Sequence, residues 1–159
     1  ALLKGLLTPV MESAVNFVNA PLIAKERGIK ILESKGEGVG DFASSIVVKA
    51  QNGKANLEIE GAIFGAKHPR IVRVNDFYFE AVPEGYILIL HNKDVPGVIG
   101  MIGTILGNNG INIAGMELGR SEKGGNAISF THVDEMVSKK ALDELRALPQ
   151  IVSAELVKL

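Results

Sequence analysis

The most regular hydrophobic pattern in the chain lies in its second half. Tyr86 to Asn92 is a short run rich in Ile and Leu that follows Gly85, and it predicts a buried strand. After Pro96-Gly97, apolar residues recur at helical spacing, which predicts a helix through about Asn109. The residues on its apolar face are Val98, Met101, Ile102, Ile105 and Leu106.

The same half continues with a strand, a hairpin, a second helix and a last strand. The predicted elements are a strand over Ile111 to Arg120, a turn at Lys123-Gly124-Gly125-Asn126, a strand over Ala127 to Val133, a helix capped by Ser138 and stopped by Pro149, and a strand over Ile151 to Val157. The order strand, helix, strand, strand, helix, strand is the ferredoxin-like βαββαβ arrangement. It predicts an antiparallel sheet with both helices on one face.

The first half has a weaker pattern. We interpret Leu2 to Thr8 and Ile29 to Ser34 as strands, and a helix starts at Asn19-Ala20-Pro21 and ends before Gly28. Four further segments, separated by turn residues, resemble strands: Ser45 to Ala50, Asn56 to Phe64, Ile71 to Val74 and Phe77 to Ala81.

These elements predict an α+β protein with two domains. A small α/β domain would occupy residues 1–84, and the βαββαβ domain would occupy residues 85–159. The connection at Gly85 is very short, so we expect the two domains to pack closely.

Composition excludes several classes of partner. The 159 residues carry 17 basic and 18 acidic side chains, a net charge of −1, which offers no attraction to nucleic acid or to an anionic membrane. No apolar run reaches the roughly 18 residues of a membrane-spanning helix. Cysteine is absent and the first residues lack a signal-peptide layout, so we expect a cytoplasmic protein. The start at Ala1 indicates a processed chain or a fragment.

The sequence predicts neither a catalytic residue nor a metal site. His68, His91 and His132 are the only histidines, and none lies at metal-ligand spacing to another, so a structural role is expected for each. The glycine-rich stretch at 36–40 does not have the spacing of a dinucleotide-binding loop, and no helix pattern follows it.

The segment His91-Asn-Lys-Asp-Val-Pro-Gly97 predicts a binding site for a small amino acid. Val95, Pro96, Gly97 and Val98 lead into a helix whose first N–H groups have no partner inside the helix and favour an anion. Asp94 and the side-chain oxygen of Asn92 can accept hydrogen bonds from an ammonium group. Asn112 opens the next strand near the far end of the helix, so we expect it to reach such a site across a subunit interface.

Three glycines on the same helix support a close approach by another molecule. Gly100, Gly103 and Gly107 lie opposite its apolar face, and each costs about 1 kcal/mol relative to alanine. The approaching molecule would be a ligand or a second subunit; the alternative is an ordinary solvent-facing helix.

The stretch LHNKDVPGVIGMIGTILGNNGINIAGMELGR resembles an ACT domain, an amino-acid-sensing module. The first half adds VNFVNAPLIAKERGI and VNDFYFEAVPEGYILIL, and together the halves resemble the C-terminal regulatory part of D-3-phosphoglycerate dehydrogenases. That part consists of an intervening domain followed by an ACT domain. The resemblance implies that the NAD-binding catalytic domains lie upstream, so no cofactor is expected in this chain.

The resemblance also implies a ligand and a homo-oligomer. In that family ACT domains pair through the edges of their sheets, and L-serine binds between two subunits. Asn92 and Asp94 match the positions that contact the effector, and Asn112 matches the Asn that the second subunit supplies. Some members bind an anion in the intervening domain, which here implies Lys67, Arg70 and Arg73.

Two other interpretations stay open. The chain could be the regulatory subunit of an iron–sulfur L-serine dehydratase, although VNFVNAPLIAKERGI argues against it. It could also be a free-standing sensor or oligomerisation module with no attached catalysis.

Overall fold

The computed structural model describes residues 1–34, 42, 44–53, 55–65 and 67–159. The chain divides into two compact units, Ala1–Val39 and Gly40–Leu159. The glycine-rich stretch at 36–40, which was not expected to bind a dinucleotide, lies outside the described residues. None of the helices in the described ranges combines the length and the apolarity that crossing a membrane requires.

The first unit is built on two short helices. Helix α1 spans Leu2–Leu7, a 3₁₀ turn follows over Thr8–Val10, and α2 spans Ala20–Glu26. Pro21 lies in the first turn of α2 and Gly28 follows its end with a φ of +72°, so the predicted bounds of this helix are confirmed. The buried core of the unit is Leu7, Ala20 and Ala24.

The two strands predicted in this unit are wrong. Leu2 to Thr8 is helical because Leu3 and Leu7, four residues apart, share one helix face and join the core cluster of α2. Ile29 to Ser34 has no regular secondary structure. Leu32 is 99% exposed, so the apolar residues there have no sheet to join.

The second unit begins with a four-stranded antiparallel meander. Its strands, paired in chain order, are β1 (Ser45–Asn52), β2 (Ala55–Phe64), β3 (His68–Val74) and β4 (Phe77–Ala81). All four predicted strands are confirmed. Asn75, with a φ of +50°, forms the tight turn between β3 and β4, and its side chain accepts a hydrogen bond from the N–H of Glu58.

The βαββαβ arrangement predicted for the rest of the chain is confirmed. Its elements are β5 (Tyr86–Lys93), α3 (Val98–Asn108), β6 (Ile113–Arg120), β7 (Asn126–Val133), α4 (Lys139–Arg146) and β8 (Ile151–Lys158). The sheet order is β6-β7-β5-β8, with neighbouring strands antiparallel. The predicted cap of α4 is present, because Ser138 Oγ accepts a hydrogen bond from the N–H of Ala141 at 3.2 Å.

One face of this sheet packs on the two helices. Leu88 and Leu90 of β5 are fully buried against Ile102 and Leu106 of α3 and Leu145 of α4. This cluster fixes α3, and therefore the position at which its N-terminus meets the end of β5.

The opposite face of the sheet packs on the β1–β4 meander. Ile87, Ile128 and Phe130 form one buried cluster with Val74 and Ala81. Strand β4 lies directly on β6: a Cβ built on Gly119 would be 3.1 Å from Phe79 Cδ1 and 3.1 Å from the carbonyl oxygen of Tyr78. The short connection from Ala81 to Tyr86 thus joins two closely packed sheets of the second unit.

Candidate ligand-binding site

The segment between β5 and α3 is held in place by hydrogen bonds to two neighbouring turns. The N–H of Lys93 donates to the carbonyl of Gln150, just before β8, at 2.9 Å. The N–H of Asp94 donates to the carbonyl of Gly125, in the β6–β7 turn, at 2.9 Å. The loop is therefore fixed at one end of the sheet.

Gly97 is the N-cap of α3, and it leaves the first turn of that helix uncapped. Its φ of +90° is a left-handed conformation that glycine adopts without strain. No side chain in the described ranges caps the helix, so N–H groups of its first turn can donate to a ligand. Pro96 precedes this position, and Val95 is 42% exposed beside it.

Val98, the first residue of α3, faces the protein core. Its side chain is buried in the core cluster beneath α3. Its N–H donates a long hydrogen bond to the carbonyl of Val95 at 3.5 Å, so a role of this residue in binding stays a prediction, and its side chain anchors the helix.

Asn92 carries an unpartnered buried acceptor. It lies two residues beyond Leu90 on the helix-facing side of β5, and it is 3% exposed. Its Nδ2 donates to the carbonyl of Lys93 at 2.8 Å. Its Oδ1 is buried and has no hydrogen-bond partner in the described part of the chain. Such an atom carries a desolvation cost, and a ligand donor would remove that cost.

The Asp94 carboxylate is held by the β6–β7 turn. Its Oδ2 accepts a hydrogen bond from the N–H of Gly124 at 3.1 Å and lies 3.5 Å from Nη1 of Arg120. The side chain of Asp94 is 22% exposed and that of Arg120 is 59% exposed. Sequence reasoning missed Arg120 and Gly124, because only the sheet register brings them beside Asp94. The turn signal at Gly124-Gly125 was the available clue.

Asn112 lies at the opposite end of the sheet from Asp94. Asp94 follows Lys93, which pairs with Asn126 near the β6–β7 turn, whereas Asn112 lies beside Asp134 beyond the other end of β7. The eight residues of β6 separate these two ends by about 25 Å. The structure therefore does not bring Asn112 and Asp94 together within one chain.

Asn112 is itself hydrogen-bonded to two acidic residues. Its Nδ2 donates to Asp134 Oδ2 at 2.6 Å, and its backbone N–H donates to Glu135 Oε2 at 3.1 Å. Neither acid was singled out from the sequence. They follow β7 directly, and their proximity to Asn112 follows from the β6–β7 pairing.

The three basic residues predicted as an anion site have different surroundings. Arg73 on β3 is paired with two carboxylates, Glu58 Oε1 at 2.6 Å and Glu60 Oε2 at 3.1 Å. Arg70 is half-buried and donates to the carbonyl of Pro69, and Lys67 is exposed. Because Arg73 is already neutralised, anion binding by this group stays a prediction that rests on Lys67 and Arg70.

The network around Arg73 shifts two pKa values. Hydrogen bonds from Lys49 and then Arg73 lower the pKa of the Glu58 carboxyl. The hydrogen bond to Glu58 raises the pKa of the Arg73 guanidinium further. A shallow depression of about 360 Å³ adjoins this network, but three of its charged groups, Lys49, Glu58 and Arg73, are already paired with one another.

The histidines differ in their surroundings. The ring of His91 contacts the ring of Phe77 edge-on at a centroid distance of 6.1 Å, which suits the expected structural role. His68 is exposed at the start of β3. Both ring nitrogens of His132 are buried without a partner among the described residues.

Comparison with known proteins covers both halves of the chain. Residues 1–75 match the family described as the D-3-phosphoglycerate dehydrogenase intervening domain, and residues 86–150 match the ACT domain family. Relatives named D-3-phosphoglycerate dehydrogenase are 39% identical in Bacillus subtilis, 36% in Methanocaldococcus jannaschii and 38% in Archaeoglobus fulgidus.

Each of these alignments covers 100% of this chain and 30% of the relative. The chain thus spans about a third of the length of the curated relatives it matches, and it aligns with their C-terminal part. By its two family matches, the chain consists of a D-3-phosphoglycerate dehydrogenase intervening domain followed by an ACT domain.

Proposed function

We propose that this chain is the regulatory region of an NAD-dependent D-3-phosphoglycerate dehydrogenase of serine biosynthesis, located in the cytoplasm. It binds L-serine or a related small amino acid between the ACT domains of two subunits. NAD binds to the catalytic part of the same enzyme. The match of residues 1–75 to the dehydrogenase's intervening domain favours this assignment over a serine dehydratase subunit or a free-standing sensor.

The unpartnered Asn92 Oδ1 carries the proposal. Asn92 Oδ1, a buried acceptor without a donor among the described residues, belongs to the same short segment as the partly exposed carboxylate of Asp94 and the helix start at Gly97, which no described side chain caps. The N–H groups of the first turn of α3 suit the ligand's carboxylate. Asp94 suits its ammonium group, and Asn92 Oδ1 accepts from its hydroxyl or ammonium group.

The position of Asn112 supports a site shared by two subunits. If two β6 strands pair antiparallel, the start of one strand lies beside the end of the other. Asn112 of the second subunit then lies near Arg120 and Asp94 of the first. Its Oδ1 remains an available acceptor, while Nδ2 is held by Asp134.

A ligand that bridges two subunits favours the arrangement of subunits to which it binds more tightly. Coupling of this kind commonly amounts to about 1–3 kcal/mol. The close contact between β4 and β6 passes a movement of the ACT sheet on to the β1–β4 meander.

Calorimetric titration of this chain with L-serine tests the proposal. We expect saturable binding and a higher melting temperature for the wild type, and loss of both responses for Asp94→Ala. Asp143→Ala, which removes an exposed carboxylate on α4, is the control and should bind as the wild type does. Absence of heat and of a thermal shift in the wild type would refute the proposal.

A further inference from the structure

We infer that Ser129 makes the ligand site selective for an amino acid with a hydroxyl group. The ligand's hydroxyl lies between Ser129 Oγ and Asn92 Oδ1 and forms a hydrogen bond with each. The inference rests on the proposed function for the location of the ligand beside Asn92. It adds Ser129 as a specificity-determining residue and names the chemical class of the ligand.

Ser129 is a diagonal neighbour of Asn92 on the helix-facing side of the sheet. Asn92 pairs with Ala127 of β7, and Leu90 pairs with Ser129. Leu90 belongs to the core cluster beneath the two helices. Because side chains two residues apart on a strand share a face, Asn92 and Ser129 lie on that same face. Diagonal residues of neighbouring antiparallel strands are about 7–8 Å apart, so the two polar side chains are close in space although they are distant in the sequence.

Both side chains are buried, and each has a polar atom without a partner. Ser129 is 0% exposed and Asn92 is 3% exposed. Neither Ser129 Oγ nor Asn92 Oδ1 has a hydrogen-bond partner among the residues that the structure describes, so the two atoms do not bond to each other. The side-chain nitrogen of Asn92 already donates to the carbonyl of Lys93. Two unpartnered atoms on neighbouring positions of a core indicate an occupant that bonds to both.

The chemistry of the two atoms restricts this occupant. Asn92 Oδ1 can only accept a hydrogen bond, whereas the Ser129 hydroxyl can donate one. A hydroxyl group donates to the first and accepts from the second, so it satisfies both. An ammonium group cannot accept from Ser129, and a methyl group can do neither. One oxygen atom about 2.8 Å from each side chain bridges atoms up to about 5.5 Å apart, which suits diagonal neighbours.

Small or partly exposed side chains separate Ser129 from the proposed ammonium site at Asp94. Ala127, two residues before Ser129 on the same face, carries only a methyl group and pairs with Arg120 of β6. Arg120 in turn lies 3.5 Å from Asp94. Ser129 itself pairs with Leu118 of β6, which is 44% exposed. A ligand held at Asp94 can therefore extend a short side chain across Ala127 toward Ser129.

L-Serine and L-alanine test the inference because they differ by one hydroxyl group. A site with buried polar groups rejects an analogue that leaves those groups unpaired. We expect the wild type to bind L-serine at least about tenfold more tightly than L-alanine in calorimetric titrations. Displacement of bound L-serine measures the affinity of the weaker ligand.

Ser129→Ala removes one of the two partners of the ligand's hydroxyl. We expect this variant to bind L-serine about fivefold more weakly, the effect of one hydrogen bond, and to bind L-alanine as the wild type does. Its melting temperature without ligand should stay close to that of the wild type, because the lost hydroxyl has no partner in the described part of the chain. Unchanged affinity for L-serine overturns the inference. An equal loss for both amino acids also overturns it, since Ser129 would then act through the protein core or a bound water.

Thr131→Val is the matched control. Thr131 is also 0% exposed with an unpartnered hydroxyl among the described residues, and it lies two residues further along the same face of β7, away from Asn92. This variant should retain the wild-type ratio between the affinities for L-serine and L-alanine. A change in that ratio as large as the change in Ser129→Ala would show that the effect does not depend on proximity to Asn92, and the inference would be wrong.

A double variant tests whether Ser129 and Asn92 bond to the same group. If both bond to one hydroxyl, Asn92→Leu already disrupts the arrangement on which Ser129 depends, and the two effects are not additive. We expect the variant that combines Asn92→Leu with Ser129→Ala to bind L-serine at most about twofold more weakly than Asn92→Leu alone. Losses that multiply in full contradict a shared hydroxyl.

The proposed function and this inference fail in different ways. A wild type that gives no heat with L-serine refutes the proposed function, and the inference with it. A wild type that binds L-serine, with unchanged affinity in Ser129→Ala, refutes the inference and leaves the proposed function intact. A wild type that binds L-serine and L-alanine equally well keeps the amino-acid site and refutes its selectivity for a hydroxyl.

Discussion

At the scale of single residues, Asn92 and Thr131 are two of the buried polar side chains among the described residues. Asn92 Oδ1 and Thr131 Oγ1 both lack a hydrogen-bond partner among the described residues, and both face the helix-side core. Of the two, only Asn92 lies beside the segment that joins β5 to α3. A buried polar atom without a hydrogen-bond partner is unusual in a protein core. We therefore expect different reasons for the presence of these two residues.

We predict that Asn92→Leu leaves the melting temperature within a few degrees of the wild type and lowers the affinity for L-serine at least about tenfold. The substitution loses the hydrogen bond from Asn92 Nδ2 to the carbonyl of Lys93, which contributes about 1 kcal/mol. It also removes an unpartnered buried acceptor, and this gain offsets that loss. Thr131→Val should keep the affinity and keep or raise the melting temperature. Thermal unfolding and calorimetry check both variants, and unchanged affinity in Asn92→Leu would contradict the role given to this residue.

At the scale of elements, the second half of the chain was predictable because its patterns are long and its turn residues are explicit. Pro96-Gly97 and Ser138 mark the starts of helices, and Gly110 follows the end of one. The structure has helix boundaries at each of these positions. The start of the chain was not predictable in this way. Leu2 to Leu7 is too short for periodicity to separate a helix from a strand, and packing on α2 decides between them.

The segment between β5 and α3 shows the same division between what was predictable and what was not. Gly97, Pro96 and Asp94 could be selected from the sequence because a helix start requires them or a charged ligand would use them. Arg120 could not be selected, since its place beside Asp94 depends on the β6–β7 register. Contacts between segments that are distant in the sequence depend on the pairing of the whole sheet, so they cannot be predicted from a local sequence pattern.

The contact between β4 and β6 makes a prediction for the two glycines of β6. A Cβ at Gly119 would lie 3.1–3.2 Å from three atoms of residues 77–79, so Gly119→Ala should destabilise the protein by about 1–3 kcal/mol. A Cβ at Gly115 meets only Glu117 Oε1, at 4.0 Å, so Gly115→Ala is the control and should cost less. Urea unfolding measures the free energy of unfolding of both variants. Equal values for the two would show that the sheets can move apart at Gly119 at no cost.

At the scale of the whole molecule, the Glu58–Arg73 network makes stability depend on pH. Hydrogen bonds from Lys49 and Arg73 lower the pKa of Glu58 in the folded state below its ordinary value of 4.5. The contribution of Glu58 to stability is therefore fully present above the pKa that its carboxyl has in the unfolded chain. It is lost as the pH falls through the lowered pKa that the carboxyl has in the folded protein.

We predict that the free energy of unfolding declines below about pH 4.5 and that Glu58→Gln reduces this decline. Urea titrations between pH 3 and pH 7 measure it. Glu155→Gln, an exposed change on β8, should retain the wild-type slope. If Glu58→Gln also retains that slope, the network does not contribute to acid sensitivity.

The glycine at 119 has a further consequence for the history of this protein. With the carbonyl of Tyr78, the Cβ of Phe77 and the ring of Phe79 against it, position 119 can accept a side chain only where β4 has moved away from β6 by a few tenths of an ångström. Homologues with a larger residue at position 119 should therefore have their two sheets slightly further apart at this point. Divergence elsewhere on the two facing sheets would be free of that constraint.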